Sequence, residues 1–561
     1  MRKLLLLIPL GFLLSLFYIP LITIVKEAFS YDGGVGLGNF YELLCSPYQQ
    51  HVILFTIKQA LISLVFTLLL GIPAAYIFTH YSFPGKKLLQ PIILIPFVLP
   101  SIIVVLGFIL FYGQNGYLNR FLAHFNFNLK ILYRFEAIVL AHAFYNFPIV
   151  LKIVSDAWLK LNRNYLKAAQ TLGANRVQTF FKITLPSLLP AIINASFLVF
   201  IYCFMSFGVV LVLGSVKYAT IEVSIYFLIN NLFQMPMAMA LGSIQLLFSL
   251  LFLFISGGIG RFSLKYISLL DPIPNQKYLA PLFNFKENTA TKVIEKVLAI
   301  SFILLLIVII SGPILVLFAF GLENNLAVGI NLNALKDSVL NYNQLIGTSV
   351  LQSLLNSFYL AMLTGLTTLL LTLLLVQAQY PLKQNGKHSK PMSDFIEVLV
   401  TIPLFISPIT LSLGYLKLIH INQWEINRFT LLLAIHTIIA LPFVYRLVSQ
   451  AVKNISVNQV NAAKTLGSNN AKIFFSLIIP QLKRSLFVAS SFAFAISLGE
   501  FGAVLMINRS YVTIPVAIYR FIGARRLLNG INVSFILLVS TFVFFFLMEK
   551  FEADNNNSTH R

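Results

Sequence analysis

The chain has 561 residues, of which 58% are hydrophobic and only 10% charged, with a mean hydropathy of +0.86. A soluble domain cannot hide that much apolar surface, so the composition excludes a soluble globular protein and points to the bilayer. The net charge of +22 does not mark a nucleic-acid binder, because Lys and Arg sit mostly in short loops beside apolar runs, where a topology signal belongs.

Apolar runs of about 18 or more residues predict membrane-spanning helices. They fall near 4–25, 55–79, 88–112, 136–155, 187–213 and 238–258. A second set falls near 297–320, 353–376, 395–418, 429–448, 485–507 and 533–549. Met1-Arg2-Lys3 resembles the start of a signal peptide, but the run that follows is too long and no small-residue cleavage pattern ends it; an uncleaved first span is expected. Cys45 falls in a loop and Cys203 in an apolar run, which argues against a structural disulfide. A polar stretch with Pro272, Pro274 and Pro281 separates the two sets. The expected organisation is a first transmembrane half at 1–258, a cytoplasmic linker at 259–292 and a second transmembrane half at 293–561.

Twelve spans place both termini on one side, and charge chooses that side. The loop with Lys86 and Lys87 would be cytoplasmic, as would the loop with Lys383, Lys387 and Lys390. The stretch from Arg446 to Arg484 holds six basic residues and no acid, and joins them. The opposing first loop, with Lys26, Glu27, Asp32 and Glu42, is net acidic. Both termini are therefore expected in the cytoplasm. Arg509, Arg520, Arg525 and Arg526 fall on the outer side of this arrangement, which makes their segment a re-entrant or interfacial element.

The halves are copies. Lys-Ala-Ala-Gln-Thr-Leu-Gly-Ala-Asn at 167–175 returns as Asn-Ala-Ala-Lys-Thr-Leu-Gly-Ser-Asn at 461–469, an offset of 294 (467−173). Phe180-Phe181 and Pro186 return as Phe474-Phe475 and Pro480 at the same offset. His142 with Pro148 matches His436 with Pro442, and Phe207-Gly208 matches Phe501-Gly502. Thr220-Ile221-Glu222 to Tyr226 matches Thr513-Ile514-Pro515 to Tyr519, at 293 (513−220). Ile95-Pro96 with Gly107 matches Ile402-Pro403 with Gly414 at 307 (414−107), so the loop between the third and fourth spans is longer in the first half. All matches run in one order. The fold class expected is an all-α membrane protein of about twelve helices, built as two parallel six-helix repeats about an axis along the membrane normal.

The repeated polar segment carries the mechanism. Ala168-Ala169 and Ala462-Ala463 give a helix a face that another surface approaches closely, and Leu172 and Leu466 add an apolar anchor. Gly173 and Gly467 suit the left-handed conformation that ends a helix. A second short helix with the Phe pair is expected to follow, up to Pro186 or Pro480. A partner that pushes on this element moves the bundle.

This pattern resembles the EAA loop in permease subunits of ATP-binding-cassette (ABC) importers, written Glu-Ala-Ala, three residues, Gly, nine residues, Ile-x-Leu-Pro. Ala168, Ala169, Gly173, Ile183, Leu185 and Pro186 fit it, as do Ala462, Ala463, Gly467 and Pro480. Lys167 and Asn461 stand where the Glu belongs. The resemblance covers nearly the whole chain and implies a type I importer fold in the inner membrane. It also implies that the two segments dock on two copies of a cytoplasmic ABC ATPase, and that a periplasmic or extracellular solute-binding protein delivers the cargo. Two fused halves look like the thiamine and ferric-iron permease subgroup, and Phe83-Pro84-Gly85-Lys86, Ala141 to Pro148 and Ser497 to Gly502 look closer to its thiamine members.

Nothing in the chain reads as a P-loop, a zincin or a paired Cys-x-x-Cys, so neither an ATPase site, a cofactor nor a metal centre is expected. Glu500 lies in the eleventh span between Gly499 and Gly502, where an ionisable group faces a cavity or a partner. Its counterpart is Ser206 (500−294), and Phe207 and Phe501 flank the pair; these four are the candidate pathway residues. His142 and His436 are read as helix-to-helix hydrogen bonders. An ion-coupled secondary transporter also uses internal repeats and twelve spans, and is the alternative reading.

Overall fold

The computed structural model describes residues 2–558 except most of 87–98 and all of 162, 268–279, 283–289, 330–338, 385–389, 423–426 and 508–510. Most of the expected linker, together with Lys87, Lys387 and Arg509, lies outside the described residues. The first half consists of α1 (Leu5–Ala28), α2 (Pro47–His80), α3 (Ser101–Tyr112), α4 (Phe135–Leu159), α5 (Arg163–Thr171), α6 (Val177–Phe204), α7 (Gly208–Leu213), α8 (Ile221–Asn230) and α9 (Met235–Ile267). The second half repeats the series as α10 (Val293–Glu323), α11 (Val350–Gln384), α12 (Pro408–Asn422), α13 (Arg428–Lys453), α14 (Val457–Thr465), α15 (Asn470–Gly499), α16 (Gly502–Ile507), α17 (Ile514–Gly523) and α18 (Leu527–Ser558).

Among the described residues, ten helices are long and apolar enough to cross a membrane. The expected ninth span is bent by 95° between Asp394–Phe405 and Pro408–Ile421. Pro408 explains the break: it lacks an N–H, and the residue before a proline avoids helical geometry. The expected twelfth span is α18, of which Leu527–Val543 is an apolar helical stretch. The fifth and eleventh spans are not continuous to 213 and 507 as expected. α6 stops at Phe204 and α15 at Gly499, and short α7 and α16 resume beyond the breaks. Such irregular backbone is tolerated at membrane depth where protein surrounds it.

α8 and α17 are too short to cross. Each begins with its first N–H held by a hydroxyl of the half's second helix: Ile221 N donates to Thr56 Oγ1 at 2.9 Å, and Ile514 N to Ser357 Oγ at 2.8 Å. α17 buries Ile514 to Ile518 and Phe521, which fits the re-entrant reading of its arginine-bearing segment. Arg520 Nη1 donates to Ile346 O at 2.5 Å.

The halves are interlocked through their first helices. α1 packs on α9 of its own half and on α11 and α12 of the other; α10 packs on α18 of its own half and on α2 and α3 of the other. Two glycines permit the crossing. A Cβ on Gly107 would lie 2.7 Å from Pro313 O, and a Cβ on Gly414 would lie 2.6 Å from Pro20 O. Lys417 pairs with Glu27 at 2.9 Å across the same seam, and Tyr415 donates to Leu16 O. The one described strand of the linker, Ala280–Pro281, pairs in parallel with Tyr81–Ser82 and buries Leu282 beside it.

Four wide π turns punctuate the bundle, at Leu14–Tyr18, Phe180–Thr184, Ile307–Ser311 and Phe474–Ile478. Two residues past each comes a proline: Pro20, Pro186, Pro313 and Pro480. A proline ring clashes with the carbonyl four residues back and leaves it without a donor; a widened turn there relieves both faults without ending the helix. The expected separate short helix with the Phe pair is therefore absent: Phe180-Phe181 and Phe474-Phe475 lie in α6 and α15, which run on through Pro186 and Pro480.

Gly107→Ala and Gly414→Ala should each cost about 1–3 kcal/mol through overpacking of backbone on backbone. Gly11→Ala, with nothing within 4 Å of its Cβ, should not destabilise. Thermal unfolding in detergent separates the two groups.

Candidate coupling segments and translocation cavity

The twin polar segments fold alike. Gly173 takes φ +85° and Gly467 φ +77°. Ala174 N donates to Ala169 O and Gly173 N to Gln170 O, both at 3.0 Å; Ser468 N donates to Ala463 O and Gly467 N to Lys464 O, again both at 3.0 Å. These 6→1 and 5→2 bonds close the ends of α5 and α14, and only glycine enters that conformation without strain. Two residues on, Asn175 Oδ1 accepts from Gln178 N at 2.7 Å and Asn469 Oδ1 accepts from Lys472 N at 2.8 Å, capping the start of α6 and α15. The Leu-Gly-x-Asn string thus encodes a stop, a turn and a restart. It leaves Leu172 87% and Leu466 84% exposed at the tip. Lys167, Asn461, Ala168 and Ala462 are also exposed, while Ala169 and Ala463 are half-buried. Each half thus holds one apolar side chain outward on a rigid turn.

Toward the middle of the bundle lies a cavity of about 340 Å³ between the halves. Glu500, Ser206, Phe207 and Phe501 all line it, so the structure brings the four candidate pathway residues together. Glu500 does not sit inside a continuous helix as expected; it occupies the break after α15, where its carboxylate accepts from Ala503 N at 3.0 Å and caps α16. The breaks are tight. A Cβ on Gly208 would meet Ser101 Oγ at 2.5 Å, and one on Gly502 would meet Ile409 Cδ1 at 2.9 Å. Phe207 and Phe501 face each other at 5.7 Å, with Tyr226 at 5.6 Å from Phe207 and Tyr519 at 5.2 Å from Phe501.

Sequence reasoning missed Glu222. It is fully buried, lines the cavity, accepts from Ser407 Oγ at 2.6 Å and also accepts from Gln245 Nε2. Gln245 Oε1 in turn accepts from Thr410 Oγ1 at 2.8 Å, so the network spans both halves. The signal was present: Glu222 aligns with Pro515 inside a repeat that otherwise differs only at Ser224 and Ala517 (515−222 = 293). His142 and His436 make the helix-to-helix bonds expected of them, from Nδ1 to Ser63 Oγ at 3.1 Å and to Ser497 Oγ at 2.7 Å. Of the two, only His142 is in the cavity wall.

Two interlocked repeats, a cavity lined by both and a matched polar segment on each define a membrane permease with fused halves. The chain belongs to the family of binding-protein-dependent transport system inner membrane components, whose profile matches residues 67–263 and 374–555, once in each half. It is the permease of an ABC importer, a multi-pass inner-membrane protein, and the ion-coupled alternative gives way to that assignment. Similar proteins include the thiamine transport system permease protein ThiP of Haemophilus influenzae, 26% identical over 91% of this chain and 90% of that one. The ThiP of Brucella suis is 25% identical over 94% of this chain and 92% of its own. The sulfate transport system permease protein CysT of Salmonella typhimurium is 33% identical over 38% of this chain and 78% of its own.

The network between the halves predicts energetic coupling. In a double-mutant cycle of Gln245→Leu and Thr410→Val, the paired variant should depart from additivity by about 0.5–3 kcal/mol in thermal stability.

Proposed function

We propose that this permease imports a small organic cation, thiamine in the first place, and that Glu222 and Glu500 supply the counter-charge. The observation that carries this reading is that each half contributes one carboxylate to a single small, aromatic-walled cavity. About 340 Å³ lies at the low end of the roughly 300–1,000 Å³ typical of small-molecule sites, which suits one vitamin-sized solute. Full-length similarity to thiamine permeases supports the same cargo, whereas the sulfate permease matches only 38% of this chain and its anion suits neither carboxylate. The phosphates of thiamine would meet both acids and fit less well. Ferric iron fits less well too: among the described residues no three His, Cys, Asp or Glu side chains gather to hold an ion.

Energy comes from outside the chain. Two ATPase subunits would grasp α5 and α14 at Leu172 and Leu466, and a loaded binding protein would deliver cargo at the opposite end. Both termini would then lie in the cytoplasm, with halves at 1–258 and 293–561 and a linker at 259–292 on the same side. Lys167 and Asn461 replace the acid of the usual loop, so this docking would rest on apolar contact and shape more than on a salt bridge.

Calorimetry of the cognate binding protein should show thiamine bound and ferric iron ignored; the reverse removes the cargo assignment. Uptake at limiting thiamine should fall at least about tenfold in Glu500→Gln and in Glu222→Gln, a loss of about 1.4 kcal/mol of interaction. Cysteines placed at Leu172 and Leu466 should label only from the cytoplasmic side. The double variant Gly173→Arg/Gly467→Arg should lose ATPase co-purification; retained ATPase would show that the twin segments are not the docking points.

A further inference from the structure

The cavity is two-fold in shape but not in chemistry. Matched positions on its two walls differ systematically. Tyr145 faces the place taken by Ile439 in the other half (439−145 = 294), and Tyr202 the place taken by Ile496 (496−202 = 294). Ser101 stands opposite Pro408 at the offset of that helix pair, 307. The first-half wall is therefore a hydrogen-bonding surface of Ser101, His142, Tyr145, Asn146 and Tyr202. The second-half wall is mainly apolar, with Ile409, Ile439, Ile496, and the ring pair Phe443 and Phe492 at 5.6 Å. Glu222, Glu500, Ser206 and Ser407 add polar groups to the lining, and Leu99, Met205 and Val209 add apolar ones on the first-half side.

One group on the polar wall is left incomplete. His142 is 2% exposed and uses Nδ1 for Ser63, while its Nε2 is buried with no hydrogen-bond partner. A buried polar atom without a partner costs about 1–3 kcal/mol, and His436 Nε2, outside the cavity wall, is in the same state in the other half. Tyr145 donates to Leu99 O only at a long 3.5 Å, which leaves its oxygen free to accept. An apolar wall of aromatic and branched side chains opposite these groups offers a ring a face to lie on and no polar partner.

We propose that the cavity is a two-faced cargo site that acts as a second selectivity filter within the permease, after the binding protein. It accepts a flat heteroaromatic cation in one orientation: hydrogen-bonding edge toward Tyr145, Tyr202 and His142, apolar face toward Phe443 and Phe492, positive charge toward Glu222 and Glu500. This rests on the cationic-cargo reading above and adds to it the discrimination between cations. A homodimeric ancestor could not impose a single orientation, because a symmetric cavity holds an asymmetric cargo equally well both ways round. Fusion of the halves removes that limit: Ser101, Tyr145 and Tyr202 are hydrogen-bonding on the first-half side alone, while on the second-half side Ser407 replaces Pro100 (407−307) and Glu500 replaces Ser206.

The test is equilibrium binding to the permease with its ATPase in nanodiscs, with no binding protein present. Two probes carry the same charge: thiamine, and 3-benzyl-5-(2-hydroxyethyl)-4-methylthiazolium, in which a phenyl ring replaces the aminopyrimidine and the thiazolium keeps its hydroxyethyl group. The native complex should bind thiamine at least tenfold more tightly than the benzyl probe. Tyr145→Phe/Tyr202→Phe, which keeps both rings, should bring the two affinities within threefold while leaving the benzyl affinity unchanged. Equal affinities in the native complex would overturn the two-faced site and leave the cation reading intact. An unchanged preference in the double variant, with an unchanged melting temperature, would also overturn it. If neither cation binds the native complex, the cation reading fails, and the filter with it.

Discussion

Two contacts between glycine and a carbonyl hold this architecture together. Gly107 lies against Pro313 O and Gly414 against Pro20 O, so the first helix of each half is seated on the third of the other. In a bilayer there is little hydrophobic gain from bringing apolar helices together; close backbone approach through small residues is what specifies the pair. The consequence is that neither half is complete alone. The cavity exists because α1 and α10 clamp opposite bundles, and the acids of the two halves meet in it because of that clamp.

On this symmetric frame the chemistry is asymmetric. The breaks after α6 and α15 are geometrically alike, yet one carries Ser206 and the other Glu500. The short helices α8 and α17 start on matching hydroxyls, yet one carries Glu222 and the other Pro515. Where backbone geometry is at stake the repeat is kept, as at Gly173 and Gly467. In the cavity lining it is kept at Phe207 and Phe501 but abandoned at Ser206 and Glu500 and at Tyr145 and Ile439.

Much of the local structure was legible in the sequence because local interactions decide it. The stop at Gly173 and Gly467 needs only a left-handed residue, and the membrane spans need only hydropathy. The break at Glu500 was half legible: an acid between two glycines marks a special place, but not that the acid caps the next helix. Glu222 was hidden because its partners Ser407 and Gln245 come from distant segments, and no spacing rule joins them. The interlocking of first helices was hidden for the same reason. The continuous run of α6 and α15 past Pro186 and Pro480 was misread, since proline ordinarily ends a helix and the remedy, a widened turn, leaves no residue signature of its own.

Those widened turns set an angular register. One residue advances an α-helix by roughly 100° around its axis, and a π turn accommodates one residue more than the regular winding. Phe180–Thr184 and Phe474–Ile478 therefore fix the azimuth at which Leu172 and Leu466 project relative to the cavity wall on the same helix. Removal of a single residue from either turn would bring back the clash at the following proline and swing the exposed leucine to another compass bearing, so its aim is written in one residue per half.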